Sequence, residues 1–174
     1  LMDCREPSVM IDGVLRQYAT RIDVGSARVV ARHTGFSGAE VWRIETPDGA
    51  FALRRWPPRG LPPERIRGLH RLLEHVRRAG VEYIATPVAA EGDATLVTLP
   101  EGSGVWQLEP WLPGAADFHR SGGEARLKAA ITALARWHLA AATFRPTQSL
   151  RVWFGSRPAD SSPAVAERLA LVQH

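Results

Sequence analysis

The sequence predicts an α+β fold: a five-stranded antiparallel sheet with one helix set into it, followed by further helices. Three observations predict it. Residues 27–55 hold three short runs with strand alternation, separated by small-residue turns. One amphipathic helix follows a proline-rich break, and strand-like runs then resume as far as residue 111. From residue 124 the apolar spacing is helical. Strands that follow one another, rather than alternating with helices, argue against βαβ winding.

Residues 9–20 place Val9, Ile11, Val14, Leu15 and Tyr18 on one stripe, the spacing of a helix packed on the outside of the sheet. The run 27–32 leads into a small-residue turn, Gly35-Phe36-Ser37-Gly38. In 41–45, Trp42 and Ile44 fall on one side of the pleat. Thr46-Pro47-Asp48-Gly49 reads as a tight turn. Proline presets one dihedral, aspartate can bond the backbone two residues on, and glycine accepts a positive φ. The third strand, 50–55, alternates Phe51 and Leu53 against Ala52 and Arg54.

Prolines 57, 58, 62 and 63 then break regular structure. Pro62 and Pro63 suit the start of a helix, with Glu64 in its first turn near the positive end of the dipole. In that helix, 64–79, Ile66, Leu69, Leu73 and Val76 recur at three- and four-residue spacing, Leu72 widens the stripe, and Gly80 ends it. Gly68 inside it costs about 1 kcal/mol relative to alanine, which predicts either close packing there or a frayed start.

Thr86-Pro87-Val88 begins a strand-like run, Glu91-Gly92-Asp93 turns, 95–99 makes the next run, and 105–111 closes the sheet after a second turn at 100–104. Pro113-Gly114 then reads as a hinge. Residues 124–143 form the longest helix, with Leu127, Ile131, Leu134, His138 and Leu139 on one face and alanines that let neighbours approach. Residues 145–162 are irregular, and 163–172 begin another amphipathic helix through Val165, Leu169 and Val172. The expected organisation is a helical lead-in over 1–26, a sheet domain over 27–112, and a hinge with the start of a truncated helical domain over 113–174.

A chain of 174 residues with 45% hydrophobic and 23% charged residues has the make-up of a globular protein. No apolar run approaches the roughly 20 residues that span a bilayer, and no apolar leader marks secretion. The lone Cys4 cannot form an internal disulfide. Together these predict a cytoplasmic chain with no membrane partner. The net charge is +4, yet residues 54–78 alone carry eight arginines against Glu64 and Glu74, a balance of +6. Such a cluster suits phosphate, nucleic acid or a solvated face. Lys128 is the single lysine, so arginine is the chain's general cation, and a nucleic-acid partner is not expected. His70 and His75 lie about 140° apart on a helix and would not share a metal. Most of the six tryptophans fall in predicted elements and suit the core; Trp111 is kept as a neighbour for a bound aromatic ring.

The order of these elements, with GFSGAEVWRIETPDGAFALRRW, the helix ending RRAGV, the segment WQLEPWLPG and the helix ending LARWHLA, resembles the phosphotransferase enzyme family. That group includes aminoglycoside phosphotransferases, choline kinases and homoserine-kinase-like proteins, and shares the protein-kinase-like fold. The resemblance runs from Ala27 to about Thr143. It implies an N-lobe over 27–112 and the first helices of a C-lobe, in an ATP- and Mg²⁺-dependent enzyme acting on a hydroxyl of a small-molecule acceptor. Phe36, Ser37, Gly38 and Ala39 would form the loop over the nucleotide phosphates. Arg54 stands where the family has a lysine or arginine on the third strand, held by an acid on the next helix. Leu69 and Arg71 occupy the positions where that acid is looked for, which leaves His70 and Glu74 as the nearest candidates, with Glu74 within reach of Arg54. Glu109, Pro110, Trp111 and Leu112 would join the lobes, their backbone reading the adenine edge. Trp137-His138 matches the family's Leu-His, a structural feature.

The chain departs from the family in one large respect. No His-x-Asp occurs in its 174 residues, and the only aspartate after the long helix is Asp160. Phosphoryl transfer needs a carboxylate to orient the acceptor hydroxyl and oxygen ligands for Mg²⁺. The expectation is therefore the nucleotide-binding part of a kinase, with its catalytic and magnesium residues in a C-lobe beyond this chain. The alternative is a non-catalytic nucleotide-binding or protein-interaction module. Acceptor and oligomeric state stay open.

Overall fold

The computed structural model describes residues 7–34, 38–58, 60–99 and 104–146. The chain divides into two compact units, Leu1–Phe144 and Arg145–His174, and the fold below is that of the first. Its elements are helix α1 (Pro7–Arg16), strands β1 (Arg28–Thr34), β2 (Glu40–Thr46) and β3 (Gly49–Trp56), helix α2 (Pro63–Arg78), strands β4 (Val97–Thr98) and β5 (Val105–Pro110), and helices α3 (Phe118–Ser121) and α4 (Glu124–Ala142).

The strands form one sheet in the order β1-β2-β3-β5-β4, with every neighbouring pair antiparallel. Register decides what each face carries, because directly opposed residues in an antiparallel pair share a face. Trp42 lies opposite Leu53, and Leu53 opposite Leu108. These residues, with Ile44, Phe51 and Trp106, form an apolar face. Against it pack Ile11, Val14 and Leu15 of α1 and the following Tyr18, so the expected outer helix is part of the core. The Trp42 and Trp106 rings stack there at 5.3 Å. Leu53 and Leu108 are fully buried, each contributing about 1.5–3 kcal/mol by burial. The other face takes the alternate residues: Arg43 opposite Ala52, Ala52 opposite Glu109, and Arg54 opposite Gln107.

The β2–β3 turn forms where its residues predict it. Thr46 pairs with Gly49, whose φ is 133°, and Thr46 Oγ1 accepts the Asp48 N–H at 3.1 Å. The Asp48 carboxylate reaches outward instead of back to its own turn, and accepts the Asp23 N–H at 2.6 Å. This ties the segment after α1 to the hairpin. Helix α2 starts on its prolines and buries Ile66, Gly68, His70, Leu72 and Val76; the chain leaves it through Gly80 at φ 90°.

The later strands are shorter than the sequence suggests. Residues 86–88 form no strand: Pro87 has no N–H to give to a ladder, and a single bond, Val88 N–H to the Leu108 carbonyl at 2.7 Å, runs along β5. Strand β4 keeps only Val97 and Thr98 of the expected 95–99. Glu91–Asp93 makes a 3₁₀ turn with Gly92 at φ 67°.

Helix α4 runs as expected, but Leu127, Ile131, Leu134 and Leu139 are half to three-quarters exposed. It touches the sheet-bearing part through α2 and the segment after it. His75 Nε2 lies 2.7 Å from Thr143 Oγ1, and Tyr83 O–H donates to the Ala133 carbonyl. Among the described residues no helix is long and apolar enough to cross a membrane. The helix expected at 163–172 lies outside the described residues.

Candidate functional site

Arg54 sits on the polar face of β3, the central strand. Its side chain is 27% exposed, and its Nη2 donates to Glu109 Oε1 on β5 at 2.8 Å. The other Glu109 oxygen accepts from Gln107 Nε2 at 2.9 Å. Gln107 Oε1 in turn accepts from Trp56 Nε1 at 2.8 Å and lies 2.9 Å from His70 Nε2 on α2. One polar chain therefore runs from α2 through β5 to the cation on β3.

The partners fix the protons in this chain. Indole N–H can only donate and an ionised carboxylate can only accept, so Gln107 must point its oxygen at Trp56 and its amide nitrogen at Glu109. That same oxygen faces His70, so His70 Nε2 carries the proton and donates. Among the described residues its Nδ1 is left as a buried acceptor without a partner. Burial pushes the His70 pKa below its usual value, with the Gln107 bond and the Glu109 charge opposing the shift and Arg67 adding to it. His70 is thus neutral at pH 7.

Glu74, expected within reach of Arg54, is not its partner. Its carboxylate is 46% exposed and pairs with Arg78 one turn along α2 at 2.9 Å. The polar side chain that α2 buries toward the strands is His70, one turn earlier, and Glu109 supplies the acid from β5 instead.

Of the expected phosphate loop, Phe36 and Ser37 lie outside the described residues. Gly38 has φ 74° with open space where a Cβ would stand, and Ala39 is fully buried. Glu40, the first residue of β2, takes both Arg32 of β1 and Arg55 of β3. It clasps the two stems of the loop to the neighbouring strand.

The joining segment is placed differently from expectation in one detail. Glu109 and Pro110 are the end of β5, and the Trp111 N–H donates to the Ala50 carbonyl at 2.9 Å. That donor is therefore not open to a ligand's edge. The Trp111 ring lies 5.8 Å from the His33 ring, and the Arg43 guanidinium stands 5.2 Å from its centroid, a cation–π arrangement. Ala52 lies between the two groups, opposite Arg43 on one side and Glu109 on the other. A cation held by an acid, a small residue, and an aromatic–guanidinium pair thus share the polar face of the sheet.

Neither Gln107 nor Trp56 is among the site candidates that the sequence offers. The signal for Gln107 was its place between Trp106 and Leu108, on the opposite side of the pleat. Among the described residues no group of three or more His, Cys, Asp or Glu could hold a metal ion.

The family model of the Phosphotransferase enzyme family matches residues 29–173. The chain belongs to this family, and its open antiparallel sheet with helices is a kinase-like N-lobe followed by a few helices. Its function is accordingly of the phosphotransferase type. None of the curated proteins compared with it matches the chain.

Proposed function

We propose that this chain is the nucleotide-binding part of an ATP-dependent phosphotransferase that acts on a hydroxyl of a small molecule. The observation that carries the reading is Arg54: a permanently charged donor fork, part-buried on the central strand and held by Glu109. In this reading Arg54 meets the α- and β-phosphates as a charge-assisted donor. The backbone amides around Ser37, Gly38 and Ala39 approach the β- and γ-phosphates. The segment Glu109–Pro110–Trp111 borders the base, with the Trp111 ring beside it.

Lacking any His-x-Asp, the chain is expected to bind nucleotide without transferring phosphate by itself. The test is calorimetric titration with Mg-ATP. Loss of one charge-assisted hydrogen bond of about 1.5–3 kcal/mol corresponds to roughly 10- to 150-fold in affinity. Arg54→Met, which keeps the bulk of the stem, should weaken binding on that scale. Equal affinity in the variant would remove Arg54 from the phosphate site.

A further inference from the structure

We propose that His70 and Gln107 are positioning residues for Arg54, acting through Glu109 to hold its guanidinium where a phosphate would meet it. This rests on the reading of Arg54 as the phosphate cation. Glu109 is gripped at both oxygens, one by Arg54 and one by Gln107, so its rotamer follows Gln107. Gln107 has no slack either: it is 4% exposed, its amide is given to Glu109, and its oxygen receives Trp56 and His70. His70, also 4% exposed, is the only one of these side chains on α2. The position of α2 is thereby transmitted to the cation on β3 by three successive hydrogen bonds.

A purely structural contact would not need this chemistry. An apolar pair of the same volume would fill the space without leaving His70 Nδ1 as a buried acceptor that lacks a partner among the described residues, a group that ordinarily destabilises a fold. What the polar chain gives is direction. It fixes the orientation of the carboxylate and hence of the guanidinium, and misplacing a binding group by about 1 Å weakens what it does.

The test compares His70→Phe, which fills the space without a donor, with His70→Gln, which retains one. Two readouts are taken on each folded variant: the Trp56 indole N–H proton resonance, assigned with Trp56→Phe, and Mg-ATP affinity by calorimetry. His70→Phe should move the indole resonance and weaken Mg-ATP by about three- to ten-fold, the scale of one hydrogen bond. His70→Gln should restore both. In an Arg54→Met background, His70→Phe should add nothing further, since coupled sites are not additive. Unchanged affinity in His70→Phe, or an equal loss in the Arg54→Met background, overturns the proposal. Should His70→Phe not fold, Gln107→Met takes its place with the same expectations. If the wild-type chain binds no Mg-ATP, the nucleotide reading fails separately. The relay then stands or falls on solvent exchange of the Arg54 Nη–H protons, faster in His70→Phe if the relay holds the guanidinium and unchanged if it does not.

Discussion

Replacing Glu109 by alanine removes two bonds at once, and the structure sets the size of the effect. One is the charge-assisted bond to Arg54 at 2.8 Å; the other is the acceptor for Gln107 Nε2 at 2.9 Å. Both bonds have the ionised Glu109 carboxylate as acceptor, and bonds to charged groups contribute about 1.5–3 kcal/mol each in a buried setting. The side chains are 13% and 27% exposed. That is too buried for the near-zero value of a surface pair, and too open for the 3–5 kcal/mol that follows breaking a fully buried one. A loss of about 2–4 kcal/mol results. At roughly 2–4 °C per kcal/mol for a chain of this size, the melting temperature should fall by about 4–16 °C in a circular-dichroism melt at pH 7. Glu74→Ala is the matched control. It breaks only the exposed i,i+4 pair with Arg78, worth about 0.3–0.5 kcal/mol. Equal melting temperatures for the two variants would refute the assignment of Glu109, rather than Glu74, as the acid that holds Arg54.

Three further outcomes follow from the same geometry. The folded-state pKa of His70 lies below its ordinary 6.5, so the unfolded chain binds the proton first. Stability is then unaffected above pH 6.5 and declines as pH falls from there toward the folded pKa; melts from pH 7.5 to 5 should show a steeper decline in wild type than in His70→Gln. Gly38→Ala meets no atom within 4 Å but must hold φ 74°, which costs a residue with a Cβ about 1–2 kcal/mol; urea unfolding should show that loss, and none if the loop relaxes freely. Leu108→Ala, at a fully buried site between β3 and α1, should cost about 2–5 kcal/mol, and a change under 1 kcal/mol in the same assay would contradict the core described above.

Local chemistry made the first half of the sheet legible. The alternation of Trp42 with Ile44 and of Phe51 with Leu53, and the turn residues Thr46 to Gly49, act over a few positions, so β2 and β3 could be read directly. Arg54 was legible for the same reason, since alternation alone sets it apart from the core side of its strand. Its partner was not. Glu109 is 55 residues away and comes beside Arg54 only because β5 pairs with β3 across the intervening helix and β4. No local pattern encodes that pairing, and the acid that the family resemblance implies on the next helix leaves only His70 and Glu74 as candidates there. Gln107 was hidden by the same distance. At 86–88, the β-branched residues flanking Pro87 favoured a strand that the missing N–H of proline does not support. The apolar stripe of α4 was plain in the sequence, but periodicity reports only that a face is apolar. It does not say whether a neighbour covers Leu127, Ile131 and Leu134.

The most direct test of the account is an amide chemical-shift map of the chain, labelled with ¹⁵N and titrated with Mg-ATP. The account predicts shifts grouped on the polar face of the sheet: Gly38 and Ala39, Ala52 to Arg54, and Gln107 to Trp111. Shifts confined to the exposed arginines of α2, such as Arg67 and Arg71, or none at millimolar nucleotide, would contradict it.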